Sequence, residues 1–251
     1  NNKVFSFKES YVIVTLLDAN NTEVFFSMRY EEVQPAVFLT RPNRFIAHVL
    51  LQGREVVCHV KNTGRCRELL RPGVQVWLEK GRGAKRKTAW DLIAVQKGER
   101  LVNMDAQAPN RAFGEGARNL EPGIVSVRPE VFFEDSRLDF LLETERGKHY
   151  VEVKGVTLES GGHVYFPDAP TERGVRHLHT LIQAVEQGYR ATVFFVVQMG
   201  DALDFAPNDE THPAFGQALR QAAKAGVQVR AFCCRVTPEE MEIDGEIPVI
   251  L

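Results

Sequence analysis

Apolar and polar positions alternate with a period of two through much of the first hundred residues, in short pieces. Residues 11–17 (YVIVTLL) and the EVFF segment at 23–26 alternate weakly. They fit either an added hairpin or an extension that belongs to no domain. From residue 38 the pattern sharpens into RFIAHVLL, EVVCHV, VQVWLEK and TAWDLIAVQ, separated by turns carrying Gly53, Asn62-Thr63-Gly64, Pro72-Gly73 and the run 81–87. Strands at this spacing, with no helical periodicity between them, predict a small all-β barrel or sandwich over about residues 36–103.

The pattern then changes. Residues 109–119 are compatible with a helix despite Gly114 and Gly116, and read as the hinge and first helix of a second domain. Strand-like segments follow near 127–133, 138–142 and 150–153, then the loop ESGGHVYFPDAPTERG. A helix is predicted over 171–187, with Val175, Leu178, Leu181, Ile182 and Val185 as its apolar stripe, Pro170 before it and Gly188 after it. The strand ATVFFVVQ, a helix near 213–225 and the strand VQVRAFCC complete the chain. The run Val193 to Val197 is apolar throughout, which predicts a strand covered on both faces in a mixed or parallel sheet.

One stretch breaks the apolar logic. In RLDFLLETERGKHYVEVK, residues 137–154, two strands are joined by a polar turn, and Asp139, Glu152 and Lys154 sit among residues that look buried. Alternation projects Glu152 and Lys154 to one face and Val151 and Val153 to the other. Such charges are costly unless paired, metal-bound or in a polar cleft. The spacing matches the metal-dependent PD-(D/E)xK nucleases, in which two carboxylates on adjacent strands hold a hard divalent cation and a lysine assists at the phosphate. The competing reading is a surface ion pair of little energetic consequence. Glu130 and Glu115 are candidate further acids, for which a solvated glutamate is the preferred reading. Arg173, His177 and Thr180 form a polar stripe that either contacts a phosphate over the metal site or faces solvent. His59 and His163 have no partners at ligand spacing and read as structural.

Composition narrows the classes. The 251 residues are 44% apolar and 25% charged, those of an ordinary globular protein of one large or two small domains. No apolar run approaches the roughly 18 residues of a membrane span, so a cytoplasmic protein without membrane contact is expected. Four cysteines read as reduced core thiols, since the adjacent Cys233 and Cys234 point to opposite faces of a strand. A net charge of −2 excludes a uniformly basic coat, but residues 65–87 carry eight Lys or Arg against two Glu, a local balance of +6. Trp77 and Trp90 flank the cluster Lys85-Arg86-Lys87. Cations beside aromatics on a small barrel suit a groove that tracks nucleic acid; alternatively they keep a hairpin tip soluble.

RFIAHVLL, HVKNTGRCRELLRPG, RLDF, YVEVKGVTL and YFPDAPTERGVRHL follow one another in the order and spacing of the sugar fermentation stimulation protein A family, which the chain resembles from about residue 28 to its end. The resemblance implies an N-terminal OB-like β-barrel and a C-terminal PD-(D/E)xK nuclease-like mixed-sheet domain, α/β (α+β overall), in a cytoplasmic DNA-binding protein linked to sugar-utilisation genes. It places Asp139, Glu152 and Lys154 on the nuclease-like motif, Asn62, Thr63, Gly64 and Arg65 on the barrel motif, and Arg173 at the TERG helix start. Met28 coincides with where family members tend to begin, so residues 1–27 are assigned no function. The expected division is 28–105 for the barrel and 106–251 for the nuclease-like domain. The expected site has Asp139 and Glu152 binding Mg²⁺ or Mn²⁺, the Val153 carbonyl as a third ligand and Lys154 orienting the attacking water. Arg44, Asn62, Thr63, Arg65, Lys85, Arg86, Lys87, Arg173 and His177 are the expected nucleic-acid contacts. The leading expectation is nonspecific DNA binding with phosphodiester hydrolysis; the alternative is a noncatalytic regulator of sugar-utilisation genes. A homodimer is compatible with either.

Overall fold

A computed structural model of the protein describes residues 28–62, 64–83, 86–121 and 123–251. Residues 1–27, Thr63 and Lys85, and the expectations attached to them, lie outside the described residues. The first half comprises β1 (Met28–Arg29), β2 (Val33–Asn43), β3 (Ile46–Leu51), β4 (Arg54–Val60), β5 (Gln75–Lys80), β6 (Trp90–Lys97) and β7 (Arg100–Asn103). Antiparallel pairing joins β4 to β3, β3 to β2, β2 to β5 and β5 to β6. A short parallel pairing of β4 with β6, His59 with Asp91 and Val60 with Leu92, closes the ring. Closure of five strands in this order is the OB topology. Alternate residues fill the interior: Ala47, Val49 and Leu51 from β3, Cys58 and Val60 from β4, Val76 and Leu78 from β5.

The second half comprises α1 (Ala108–Leu120), β8 (Ile124–Phe133), β9 (Ser136–Thr144), β10 (Gly147–Val156), β11 (Leu158–Ser160), β12 (His163–Phe166), α2 (Glu172–Glu186), β13 (Arg190–Val197), β14 (Asp204–Pro207), α3 (Pro213–Ala225), β15 (Gln228–Val236) and β16 (Glu240–Ile247). Its main sheet runs β1-β16-β15-β13-β10-β9-β8, with β13 parallel to both β10 and β15 and the other pairs antiparallel. Met28 and Arg29, expected at the head of the barrel, pair instead with β16. A small sheet, β11-β12-β14, stands beside it.

Helix α1 covers one face of the main sheet and α2 with α3 the other. Strand β13 is apolar because both faces are covered: Phe194 and Val196 join the α1 core, Val193, Phe195 and Val197 the α2–α3 core. Cys233 and Cys234 likewise fall in opposite cores, and all four cysteines are buried free thiols. The Thr171 hydroxyl caps α2 by accepting the Gly174 N–H at 3.1 Å. Gly226, at φ 101°, ends α3 in the left-handed conformation that glycine adopts without strain. Among the described residues no helix is long and apolar enough to cross a membrane.

Two polar clasps fix the halves together. Buried Asn103 donates to the Tyr30 hydroxyl at 2.8 Å, Lys61 pairs with Asp105 at 2.6 Å, and Gln198 at the end of β13 donates to the Asn103 side chain and the Asp105 carbonyl at 3.0 Å each. Burial, then the Asp105 charge, pushes the Tyr30 phenol up, so it stays protonated and donates to Asp105 at 3.3 Å. In the second clasp, Lys97 and Arg100 of the β6–β7 hairpin grip Glu159 on β11.

Candidate metal site and nucleic-acid interface

Strands β9 and β10 pair from Thr144 with Gly147 up to Phe140 with Val151, and the ladder then stops. The next residue on β9 is Asp139. Its Oδ2 accepts the Val153 N–H at 2.8 Å, so the side chain takes the place of a strand carbonyl and is held in the gap between the strands. Asn110, in the first turn of α1, donates to Oδ1 at 2.8 Å. In an antiparallel pair the N–H and C=O of one residue face the same neighbour, so the Val153 carbonyl opens onto the same gap. The Val156 carbonyl, three residues on, faces the other way, accepting the Gln198 N–H at 2.9 Å.

Glu152 projects to the α2 face, only 2% exposed. Its Oε1 accepts hydrogen bonds from both Lys154 Nζ and His177 Nδ1. Its Oε2 is buried and has no hydrogen-bond partner. Burial pushes the Glu152 carboxyl up, but the His177 hydrogen bond and the Lys154 charge outweigh it and hold the group below its usual range. Asp139 goes the other way: burial and then the Glu152 charge raise it, and Lys154, the Val153 N–H and Asn110 offset this only in part. A buried carboxylate with an unpaired oxygen, repelling a partly buried one, is a donor set that would suit a hard cation. No three His, Cys, Asp or Glu side chains converge on one point among the described residues. The protein therefore offers two carboxylates and a carbonyl, which suits an ion that keeps several waters.

The α2 stripe turns inward at His177 and Thr180 and reaches solvent at Arg173. His177 and Thr180 are buried, Thr180 donates to Ser136 at 3.0 Å, and exposed Arg173 donates from Nε to His177 Nε2 at 3.2 Å. Glu130 is exposed and pairs with Arg137 at 3.6 Å, as a solvated glutamate should. Glu115 differs from expectation: it is partly buried, its Oε2 lacks a partner, and burial raises its carboxyl. His59 and His163 are held by Asp91 and Asp204 at 3.1 and 2.9 Å.

On the barrel, the β2–β3 turn carries Arg44 and Phe45. Asn43 Oδ1 accepts the backbone N–H groups of Phe45 and Ile46 at 2.9 and 3.1 Å, and the Arg44 guanidinium lies 5.4 Å from the Phe45 ring centroid. Phe45 is 49% exposed. Arg41 ties this turn to the NTGR loop, donating to the carbonyls of Arg44, Asn62 and Arg65 at 2.8 Å each. Asn62 Oδ1 accepts the Gly64 N–H at 2.7 Å, and a Cβ on Gly64 would lie 2.4 Å from Asp168 Oδ2. The NTGR loop of the barrel and the FPDAPTERG loop of the second half thus interlock.

Arg65 and Lys87 are exposed. Arg86 is tied to buried Asp91 and to the Thr88 carbonyl, and so already has partners. Trp77 and Trp90 pack against the two cores, whereas Phe45, beside Arg44, is an exposed aromatic. Sequence reasoning missed Asn110, Arg41, Asp168 and Phe45. Phe45 and Arg41 flank a turn signal, Pro42-Asn43; nothing local marks the others.

The same two halves are found in known proteins. A family model described as "SfsA N-terminal OB domain" matches residues 39–104, and one described as "Sugar fermentation stimulation protein RE domain" matches residues 107–240. A sugar fermentation stimulation protein homolog from Desulfitobacterium hafniense is 52% identical over 228 residues, 89% of this chain and 99% of its own. One from Clostridium beijerinckii is 47% identical over 226 residues, 89% of this chain and 100% of its own. Among solved structures, that of Pyrococcus furiosus SfsA in complex with Ca²⁺ matches with a TM-score of 0.81 at 29% identity, covering 89% of this chain and 98% of the other. With barrel and mixed-sheet domain matched in order along the chain, the protein belongs to the sugar fermentation stimulation protein family.

Proposed function

We propose that the protein binds DNA through the barrel, residues 28–105 apart from the first strand, and hydrolyses phosphodiester bonds at a divalent-metal site in residues 106–251. One observation carries this reading: Asp139 is held where β9 and β10 part, within range of the Glu152 charge, and Glu152 Oε2 is buried and unpartnered. Asp139, Glu152 and the Val153 carbonyl would hold Mg²⁺ or Mn²⁺. The Ca²⁺ reported with the Pyrococcus furiosus relative is likewise a hard, oxygen-seeking cation. The chemistry supplied when such an ion is bound is polarisation of the phosphoryl group and acidification of a coordinated water. Lys154 supplies a positive charge beside Glu152, to orient that water or to stabilise charge on the phosphate. Asn110 and the Val153 N–H hold Asp139 in place throughout.

The β2–β3 and β5–β6 loops of this barrel correspond to the loops with which OB folds hold nucleic acid. They carry Arg44, Phe45, Arg86 and Lys87, with Arg65 on the NTGR loop beside the first. Cations there contact phosphates, and Phe45 provides a face for a base. The four buried free thiols support a reducing compartment, the cytoplasm.

Incubation of the purified chain with Mn²⁺ and single- or double-stranded DNA tests the hydrolytic step. Cleavage is expected to need the ion and to fall by about 100-fold or more in Asp139→Ala. Cleavage that survives the substitution would remove Asp139 from the site. DNA binding without cleavage of any substrate would leave the noncatalytic regulator.

A further inference from the structure

The Arg173–His177–Glu152 chain carries more than packing. A guanidinium can only donate hydrogen bonds. Since Arg173 Nε donates to His177 Nε2 at 3.2 Å, that ring nitrogen has no hydrogen and accepts. The ring hydrogen is therefore on Nδ1, from where it is donated to Glu152 Oε1. Lys154 donates to the same oxygen. Oε1 is thus occupied twice, while Oε2 of the same carboxylate is buried with nothing bonded to it. The turn of α2 that carries Arg173 is itself fixed: Thr171 caps it, and Gly174 packs so closely on Phe215 of α3 that a Cβ would lie 3.2 Å from the phenylalanine ring.

We infer that His177 is a positioning residue, which with Arg173 fixes the orientation of the Glu152 carboxylate so that Oε2 faces the cation site. The inference rests on the metal-site reading above. It revises the expectation that His177 contacts nucleic acid: the ring is only 6% exposed and both its nitrogens are engaged. Exposed Arg173 gives only Nε to the histidine and keeps its other two nitrogens for a phosphate. The arrangement has a general counterpart in metal proteins, where groups hydrogen-bonded to a ligating carboxylate set its orientation and affinity.

Mn²⁺ titration by calorimetry, on the full chain without DNA, separates this role from a merely structural one. His177→Ala is expected to weaken Mn²⁺ binding by about 10- to 100-fold. His177→Asn, whose amide can donate from near the Nδ1 position, should recover most of the loss, while Glu152→Ala abolishes binding. Nitrogen-15 NMR of the metal-free wild-type chain should show the His177 hydrogen on Nδ1; this readout needs no variant to fold. Binding unchanged in His177→Ala but lost in Glu152→Ala would reduce the histidine to a packing role and overturn the inference. So would a hydrogen on Nε2. A wild-type chain that binds no Mn²⁺, or a Glu152→Ala chain that binds it as well as the wild type, would overturn the metal reading itself.

Discussion

Asp139 shows what a single charge costs when it is placed in an apolar strand. Asp139 is partly buried beside buried Glu152, and its raised carboxyl records that its charge is less welcome in the folded chain than in the unfolded one. Removing that charge in metal-free protein should therefore stabilise the fold. Asp139→Asn, which keeps the shape and can still accept the Val153 N–H, is expected to gain of order 1 kcal/mol in urea unfolding with chelator present, while losing Mn²⁺ binding. A loss of stability would mean that the hydrogen bonds outweigh the repulsion. On the barrel, Phe45 and its Arg44 neighbour form an open face. Phe45→Ala should weaken single-stranded DNA binding by about 1–3 kcal/mol, the worth of one stacked base, and leave duplex binding nearly unchanged. Equal losses on both substrates would argue against stacking. Lys87 and Arg86 should separate as well: neutralising Lys87 should lower the salt slope of binding by about 0.9 or less, whereas Arg86 substitutions should also destabilise the loop by leaving Asp91 short of a partner.

Among the elements, β10 does the most. It carries Glu152 and Lys154 towards α2 and Val151 and Val153 into the α1 core, and at Gly155 it lets the inter-domain seam approach. A Cβ there would lie 2.5 Å from Gln198 Oε1 and 2.7 Å from Pro109 Cγ. Gly155→Ala should cost about 1–3 kcal/mol by overpacking and, one residue from Lys154, should also impair Mn²⁺ binding; calorimetry and thermal unfolding of the variant check both. The helices were legible from sequence because their stripes and punctuation are local: α2 begins after its Thr171 cap and α3 ends at Gly226, close to the expected bounds. The direction of the α2 polar stripe was not legible. Solvent and a buried carboxylate both suit arginine, histidine and threonine, and only the packing of α2 over β10 chooses between them.

At the scale of the whole molecule, the barrel and the mixed sheet are locked by buried polar groups, which constrain orientation because each lost partner leaves an unsatisfied group behind. The Glu159 clasp gives this a pH signature. Burial pushes its carboxyl up, but the Lys97 hydrogen bond, the Gly162 N–H and the two cations hold it below its ordinary value of 4.5. A carboxyl depressed in the folded state contributes stability that is present above its unfolded pKa and lost as pH falls through the folded one. Stability should therefore decline below about pH 4.5, and Glu159→Gln should be less stable at pH 7 and show less of that decline; denaturant unfolding at several pH values reads it directly. The sequence by itself determined the two-domain order, the barrel strands, the helices and the placing of Asp139, Glu152 and Lys154 on two adjacent strands, because period, turn chemistry and charge in an apolar strand are properties of neighbouring residues. Tertiary structure alone decided that Asn110 holds Asp139, that His177 holds Glu152, that Asp168 packs on Gly64 and that Met28 pairs with β16. The physical reason is sequence distance. These contacts join residues 25 to more than 200 positions apart, and no local preference marks which partner each will meet.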